Sequence, residues 1–196
     1  MTDLVKADMS DIERVASILA DAFSEDPIMM WTLRTPEILK RSLLHLLPAL
    51  YLEGGWITRS ANAGAAVWLF PGGRQHLTAG QTTRLGLSML PYLGITGLIR
   101  AHRVDGSVSR QRPDEPHLYL FMVGVSQFVR GTGLGSRLIE QGLDEAQKNG
   151  WPVYLETSQP DRVGYYQKKG FRLVSSFTPV KGAPTLWTMR RPPTGL

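Results

Sequence analysis

Apolar residues recur along this chain with two different periods, and the change between them predicts its central elements. From 117 to 125 both alternating faces are apolar, as is typical of a central strand covered on both sides. From 134 to 148 apolar residues recur every three or four positions, which predicts an amphipathic helix. Its inner face consists of Leu134, Leu138, Ile139, Leu143 and Ala146. A buried strand, a short connection and a helix therefore follow one another.

Similar patterns predict the remaining elements. A first helix is expected after a capping box of Ser10 and Glu13, and a second helix after a cap at Thr35. A mostly helical stretch over 78–103 is followed by a polar loop over 105–116. Short strands are expected at 4–7, 56–59, 65–70, 152–157, 171–177 and 184–190, and a short helix over 160–170. This order indicates the α+β class, a mixed α/β sandwich in one domain over 1–196, with a central mixed sheet and helices on both faces.

The composition excludes several kinds of chemistry. The chain has 196 residues and no cysteine, so disulfides, thiolate metal sites and a cysteine nucleophile are excluded, and no metal is expected. The first residues lack a basic region followed by an apolar run, unlike a secretory signal. The longest apolar runs are interrupted at His45, Pro48 and Pro91 and fall short of a membrane span. We therefore expect a cytoplasmic protein that does not associate with membranes.

The connection between the central strand and its helix is rich in glycine. Gly131, Gly133 and Gly135 leave main-chain N–H groups open to an anion, and the first amides of the helix have no intrahelical partner. A pyrophosphate is the expected ligand. A dinucleotide-binding fold also has glycines here, and Glu156 lies near the position of its ribose-binding acid. However, residues 126–130 separate the strand from the first glycine, and too little chain remains for three more strand–helix units, so a nucleotide-dependent oxidoreductase is disfavoured.

Two motifs resemble those of a known superfamily. The segment 130–135, Arg-Gly-Thr-Gly-Leu-Gly, is similar to the Arg/Gln-x-x-Gly-x-Gly/Ala signature of the GNAT superfamily of N-acetyltransferases, which binds the pyrophosphate of acetyl-CoA. The segment 166–171, Tyr-Gln-Lys-Lys-Gly-Phe, is similar to the Tyr-x-x-x-Gly-Phe of the same site. Together with 117–136 and 155–158, they resemble the puromycin N-acetyltransferase subgroup. The resemblance implies a GNAT-type fold and an acetyl-CoA-dependent transfer of acetyl to a small-molecule primary amine, with an aminonucleoside-type antibiotic among the candidates.

The resemblance also implies a set of contacts to acetyl-CoA. Backbone N–H groups of the central strand are expected to bind the thioester carbonyl and the pantetheine arm where this strand separates from its neighbour. Gly124 marks either a bulge or a place where the ligand lies against the backbone. Arg162 replaces the asparagine that many relatives use to contact the CoA arm, although an arginine could meet a phosphate instead. The expected contacts are Phe121, Val123, Gly124, Val125, Arg130, Gly131, Thr132, Gly133, Leu134, Gly135, Ser136 and Arg162.

Acetyl transfer to an amine requires a base for the amine and an acid for the leaving thiolate. Tyr166 matches the family tyrosine that donates a proton to the CoA sulfur, whereas Tyr165 is expected in the core. Glu156 and His117 are both candidates for the base. Histidine titrates in the useful range unaided, while a glutamate requires burial to raise its pKa. Direct attack in a ternary complex is the expected mechanism, and a water relay is the alternative to either base.

The partners remain partly open. A net charge of +5 and a pI of about 9.7 could suggest nucleic acid, but the positive residues are scattered apart from a cluster over 100–112. That cluster is expected to be a solvated loop or a contact to the terminal phosphate of CoA. Candidates for the acceptor-pocket walls are Met29, Met30, Trp31, Met89 and Tyr92. A small amine is expected as partner, nucleic acid is not, and the protein is a monomer or homodimer. The alternative function is a non-catalytic acyl-CoA-binding regulatory module.

Overall fold

The computed structural model describes residues 3–52, 54–61, 63–73 and 77–193. Within these ranges the chain forms seven strands and six helices. The strands are β1 (Val5–Lys6), β2 (Gly55–Ser60), β3 (Gly64–Leu69), β4 (Leu118–Val125), β5 (Val153–Thr157), β6 (Arg172–Phe177) and β7 (Leu186–Arg191). The helices are α1 (Ile12–Ala22), α2 (Pro27–Leu33), α3 (Pro36–Leu52), α4 (Ala79–Ser109), α5 (Leu134–Lys148) and α6 (Pro160–Gln167). None of the helices in these ranges is long and apolar enough to cross a membrane.

The strands form one mixed sheet with the order β1-β2-β3-β4-β5-β7-β6. Only the β4–β5 pair is parallel, because α5 carries the chain back between these two strands. One face packs on α1 and α3, where Leu19 and Leu43 meet Val67. The other face packs on α5, where Leu138 meets Leu118. The predicted α+β sandwich with helices on both faces is confirmed.

The contact between α5 and β3 depends on a single missing side chain. A Cβ at Gly142 of α5 would lie 2.2 Å from the indole ring of Trp68, which is fully buried on β3. The glycine therefore lets α5 approach the sheet closely at the expense of helix propensity. Even an alanine at this position would push α5 away from the sheet. The N-terminus of α5, which follows the glycine-rich turn, would move with it.

Three sequence predictions about local structure were wrong. The capping box before α1 uses Asp8 and Asp11 rather than Ser10 and Glu13, with the Ser10 N–H donating to Asp8 Oδ1 at 2.7 Å and the Asp8 N–H donating to Asp11 Oδ2 at 3.2 Å. Helix α2 was not predicted. Helix α4 extends to Ser109, so the first part of the predicted loop over 105–116 is helical. This helix is also interrupted at Gly94, whose φ is 63° and ψ 177°.

Candidate active site

The sheet opens at its centre, between β4 and β5. These strands pair in register only at Leu118 with Val153 and at Tyr119 with Tyr154, although both strands continue for several residues. Beyond Tyr119, the described residues of β4 have no paired residue on β5. The predicted backbone donors Phe121, Val123 and Val125 all belong to this open half of β4.

A β-bulge accompanies the opening. The register of β3 with β4 passes from Val67 and Met122 to Trp68 and Leu120, so Phe121 is the extra residue. A bulge bends its strand and increases the local twist, which helps β4 to diverge from β5. The bulge suggested at Gly124 is therefore found three residues earlier. Gly124 is instead required by helix packing, because a Cβ there would lie 2.5 Å from Cβ of Ala22 on α1.

The glycine-rich turn follows β4 and ends in α5. Gly131 and Gly133 have φ values of 81° and 82°, a left-handed conformation that favours glycine, although a Cβ at either position would meet no atom within 4 Å. Gly133 is the N-cap residue of α5 and has no side chain to accept hydrogen bonds from the first amides. Those N–H groups are therefore available to an anion, which the helix dipole also favours.

A cavity of about 1220 Å³ joins the open strand and the turn. On one side it is lined by β4 and the glycine-rich turn, and on the other by residues of α2, α3 and α4. Nearly all of the residues expected to bind acetyl-CoA line it: Phe121, Val123, Gly124, Val125, Arg130, Gly131, Gly133, Gly135, Ser136 and Arg162. Thr132 and Leu134 do not, since the Thr132 hydroxyl donates to the Val129 carbonyl at 2.8 Å and the Leu134 side chain is in the core.

The polar side chains at the cavity rim already have protein partners. Arg130 Nη1 lies 3.6 Å from Glu25 Oε2. The Ser136 hydroxyl donates to Glu140 at 3.0 Å and accepts a hydrogen bond from Lys169. Arg162, half-exposed on α6, donates from Nε to the side chain of Gln159 at 3.2 Å. A phosphate at this rim would have to replace or share these contacts.

Glu156 lies at the end of β5 within a buried polar network. The Tyr119 hydroxyl donates to Glu156 Oε2 at 2.7 Å, and Arg112 Nε lies 3.7 Å from Oε1. Arg112 also donates from Nη2 to the Tyr119 hydroxyl at 3.2 Å and stacks 4.4 Å above its ring centroid. Burial raises the pKa of Glu156, and the positive charge of Arg112 opposes this effect. The carboxyl group lines the cavity, so a bound amine could reach it.

His117, the other candidate base, is packed behind this network. Its Nδ1 lies 2.8 Å from the Glu115 carbonyl oxygen, and its ring packs edge-on against Tyr154 at 5.4 Å between centroids. His117 is 4% exposed and is not among the residues that line the cavity. Burial also lowers its pKa. The structure brings Glu156, but not His117, to the cavity.

Tyr166 lines the cavity from α6. The ring centroids of Tyr166 and Phe171 lie 5.8 Å apart, and this contact positions the Tyr166 side chain. The chain between the two residues turns at Gly170, after α6. Burial raises the pKa of its phenol, so the hydroxyl keeps its proton at neutral pH. Tyr165 was expected in the core, but it is half-buried and also lines the cavity, with the Lys169 ammonium 5.4 Å above its ring.

The sequence and the fold are similar to those of known proteins. The sequence profile of the Acetyltransferase (GNAT) family matches residues 89–171, from the middle of α4 to the end of the segment after α6. The chain is 26% identical over 181 residues to an uncharacterized N-acetyltransferase of Schizosaccharomyces pombe, covering 85% of this chain and 72% of that protein. The profile match and the similarity to a protein named as an N-acetyltransferase support an acyltransferase with a GNAT fold. An enzymatic role is therefore supported over a non-catalytic acyl-CoA-binding module.

Solved structures with little sequence identity share the fold of this acetyltransferase. A Corynebacterium glutamicum structure described as histone acetyltransferase HPA2 and related acetyltransferase has a TM-score of 0.72 at 22% identity, over 100% of this chain and 99% of that one. Arylalkylamine N-acetyltransferase 2 of Aedes aegypti has a TM-score of 0.61 at 14% identity, over 98% of this chain and 99% of that one. At these identities the likeness establishes the GNAT fold of the enzyme.

Sequence reasoning missed two charged residues of this acetyltransferase. Asp26, at the start of α2, is buried and lines the cavity, but no role was predicted for it from the sequence. Arg112, also in the lining, belongs to the cluster that was expected to be a solvated loop or a contact to the terminal phosphate of CoA, yet its side chain is 8% exposed and lies beside Glu156. A signal for Asp26 was present, because Asp followed by Pro is a typical N-cap and first helical residue. No local pattern indicated the position of Arg112.

Two of the five residues predicted for the acceptor walls line the cavity. Met29 and Met89 line the cavity of the enzyme, whereas Met30, Trp31 and Tyr92 are not among the lining residues. Both aromatic rings stack under arginines instead. The guanidinium carbon of Arg100 lies 5.2 Å from the ring centroid of Trp31, and that of Arg41 lies 4.7 Å from the ring centroid of Tyr92. The two methionines are joined in the lining by apolar residues of the same helices, namely Leu33, Leu85, Leu93, Val104 and Val108.

Proposed function

We propose that this enzyme transfers the acetyl group of acetyl-CoA to the primary amine of a small molecule by direct attack in a ternary complex. The observation that carries the proposal is the shared cavity. The anion-binding turn and the buried carboxyl group of Glu156 line the same space. A donor held by the turn and an amine next to Glu156 would therefore meet inside one enclosure, which is what direct attack requires.

The residues on the donor side suit acetyl-CoA, which supplies the activated acetyl group. The first amides of α5 and the turn at Gly131 and Gly133 would hold the pyrophosphate. The open half of β4 would supply N–H donors to the pantetheine arm and the thioester carbonyl, at Phe121, Val123 and Val125. Because these contacts come from the backbone, they orient the thioester along the strand whatever the side chains are.

Glu156 is the base in this proposal. Its carboxyl group reaches the cavity, unlike His117, and burial raises its pKa toward that of a useful base at neutral pH. Arg112 and Tyr119 contact the two carboxylate oxygens and fix the direction of the group. Glu156 would take a proton from the acceptor's ammonium or from the amine during attack.

Tyr166 is the acid in this proposal. The buried phenol remains protonated at neutral pH because burial raises its pKa, and its ring is fixed by Phe171. The proton would pass from the phenol to the departing CoA sulfur. Burial is the main cause of this raised pKa, and the positive charge of Arg162 opposes it, which is consistent with a position of Arg162 near the phenol.

The acceptor side of the cavity favours a small amine carried on an apolar body. Its walls from α2 and α4 are mainly apolar and include Met29, Leu33, Met89 and Leu93. Such side chains accommodate rings and alkyl chains and offer few partners to a highly polar acceptor. An aminonucleoside-type antibiotic such as puromycin, which carries a primary amine beside an aryl group, is the first acceptor to test for a role in resistance.

The test is turnover with a panel of amines. Enzyme and acetyl-CoA are mixed with alkylamines, arylalkylamines, polyamines, puromycin and short peptides, and free thiol is measured against a reaction without amine. Mass spectrometry should find the mono-N-acetyl product of at least one small amine. If no amine increases thiol release above the reaction without amine, the proposed function is wrong.

A further inference from the structure

A second buried carboxyl group lines the cavity. Asp26 is 5% exposed and caps α2, with its Oδ1 accepting the Met29 N–H at 3.0 Å. Its Oδ2 accepts a hydrogen bond from the Ser158 hydroxyl at 2.8 Å, which links α2 to the end of β5. These neutral donors fix the direction of the carboxyl group but do not balance a negative charge.

Asp26 differs from Glu156 in its charge environment. Glu156 has the Arg112 guanidinium 3.7 Å away, whereas no Lys, Arg or His within residues 3–52, 54–61, 63–73 and 77–193 forms an ion pair with Asp26. Burial raises the pKa of Asp26, while its hydrogen bonds to Met29 and Ser158 oppose that effect. Buried charges in proteins are normally paired. A cation supplied by a ligand would complete the pairing from the cavity side.

Asp26 also lies near the proposed reacting atoms. Its hydrogen-bond partner Ser158 directly follows β5, two positions after Glu156. The pKa of Tyr166 is raised mainly by burial, and the charge of Asp26 adds to this effect, so the two groups are within electrostatic range. Asp26 is therefore close to both the proposed base and the proposed acid.

We propose that Asp26 binds the acceptor's ammonium group, so that the enzyme selects amines that enter as cations. The inference rests on the proposed function and adds to it the residue that recognises the acceptor's charge. The ammonium would donate a hydrogen bond to Asp26, and one of its other protons would pass to Glu156, leaving a neutral amine for attack. The Asp26 carboxylate would keep its charge throughout.

The test is a binding measurement that needs no turnover. Protein saturated with CoA, which carries no acetyl group, is titrated at pH 7 by calorimetry with 2-phenylethylamine and with 2-phenylethanol. These two probes share a body and differ in charge. We expect wild-type protein to bind the amine at least about tenfold more tightly than the alcohol, as expected for a hydrogen bond to a charged group. In Asp26→Asn this preference should fall to within about threefold.

The variants separate the charge of Asp26 from its structural role. Asparagine caps a helix about as well as aspartate, so Asp26→Asn removes the charge and keeps the cap. Glu25→Gln removes one negative charge from the adjacent exposed residue and should retain the amine preference. Ser158→Ala removes the hydrogen bond to Oδ2 and should also retain it. Asp26→Ser is a second variant that keeps the cap, for use if Asp26→Asn does not fold.

Several outcomes would overturn the inference. One is a wild-type protein that binds the two probes equally or binds neither of them. Another is an unchanged amine preference in Asp26→Asn or Asp26→Ser with CoA affinity intact. A loss of preference in Glu25→Gln equal to that in Asp26→Asn would indicate a general field effect. The proposed function fails separately, through the absence of amine-dependent thiol release in the turnover assay.

Discussion

The two sides of the cavity are built differently. The side proposed to bind the donor, the donor side, consists of the open half of β4 and the turn with Gly131 and Gly133, so its contacts would come from backbone amides. The acceptor side consists of side chains from α2 and α4, together with the carboxyl groups of Asp26 and Glu156. If the proposed function holds, the donor side should depend on backbone conformation and tolerate changes of side chain. On the proposed acceptor side, each side chain should matter by its own size and charge.

The two sides also differ in their proposed ligands, because the donor is constant and the acceptor is variable. A pyrophosphate and a pantetheine arm have the same covalent structure whatever the acceptor is, so a fixed backbone would suffice to bind them. The acceptor differs between relatives, and helices that pack around a cavity can change its walls without disturbing the sheet. The donor side should therefore respond to changes in backbone freedom, and the acceptor side to changes in side-chain chemistry.

The largest effect is expected for Glu156→Gln. Removing the proposed base should lower kcat by about 1,000-fold, within the usual range for general-base catalysis, and leave the KM for acetyl-CoA within about twofold. Because the base works only when ionised, wild-type activity should fall as the pH drops through the pKa of Glu156, which burial places above its ordinary value. The variant should lack this acidic limb. An acidic limb that persists unchanged in Glu156→Gln would identify a different base.

Tyr166→Phe should lower kcat by about 100-fold, because it removes the proton donor for the departing sulfur and keeps the ring that packs on Phe171. Tyr165→Phe is the matched control, since the neighbouring ring also lines the cavity. It should remain within about twofold of wild type. Steady-state rates near neutral pH check both variants. Equal losses in the two variants would mean that Tyr166 acts through packing rather than as an acid.

Met89→Trp should narrow the acceptor side alone. Met89 is 4% exposed and lines the cavity, so a larger side chain should lower kcat/KM for the longest accepted amines by about tenfold and leave short amines nearly unchanged. Leu87→Trp on the same helix is the control, because Leu87 is 67% exposed and should tolerate the change. The KM for acetyl-CoA should not move in either variant. A rise of that KM in Met89→Trp would contradict the separation of the two sides.

The smallest effect is expected for Gly133→Ala. An alanine at a φ of 82° costs about 1 kcal/mol, which corresponds to about a fivefold rise in the KM for acetyl-CoA if the turn must keep this conformation to bind the coenzyme. Gly80→Ala is the control, because that helical glycine faces open space and its φ is not positive. The amine KM should stay constant in both. A shift in the amine KM without one in the acetyl-CoA KM would reverse the assignment of the sides.

The sequence predicted the conformations of the donor-side elements well because their determinants are local. The apolar run of β4, the alternate glycines and the start of α5 lie within twenty consecutive residues, and their periodicity and turn chemistry specify their conformations. The separation of β4 from β5 was also anticipated. The position of the bulge at Phe121 was not, because a bulge depends on the register with β3, which no local pattern reveals.

The acceptor side was predicted poorly because it depends on contacts between distant segments. Arg112 reaches Glu156 because α4 continues to Ser109 and returns the chain to the sheet. The many glycines and polar residues of α4 concealed this length in the sequence. Asp26 meets Ser158 across 132 residues of sequence. His117 and Glu156 were equally good candidates for the base in sequence, and only the packing of His117 behind Tyr154 distinguishes them. Tertiary structure, rather than composition or spacing, brings these groups together.

The most direct test of the account is a crystal structure of the protein with CoA. We expect the diphosphate to accept hydrogen bonds from main-chain N–H groups of the turn from Gly131 to Gly135, with the pantetheine arm between β4 and β5 and the sulfur near Tyr166. A coenzyme bound elsewhere, or a turn whose amides contact no phosphate oxygen, would contradict the division of the cavity into a backbone-built donor side and a side-chain-built acceptor side.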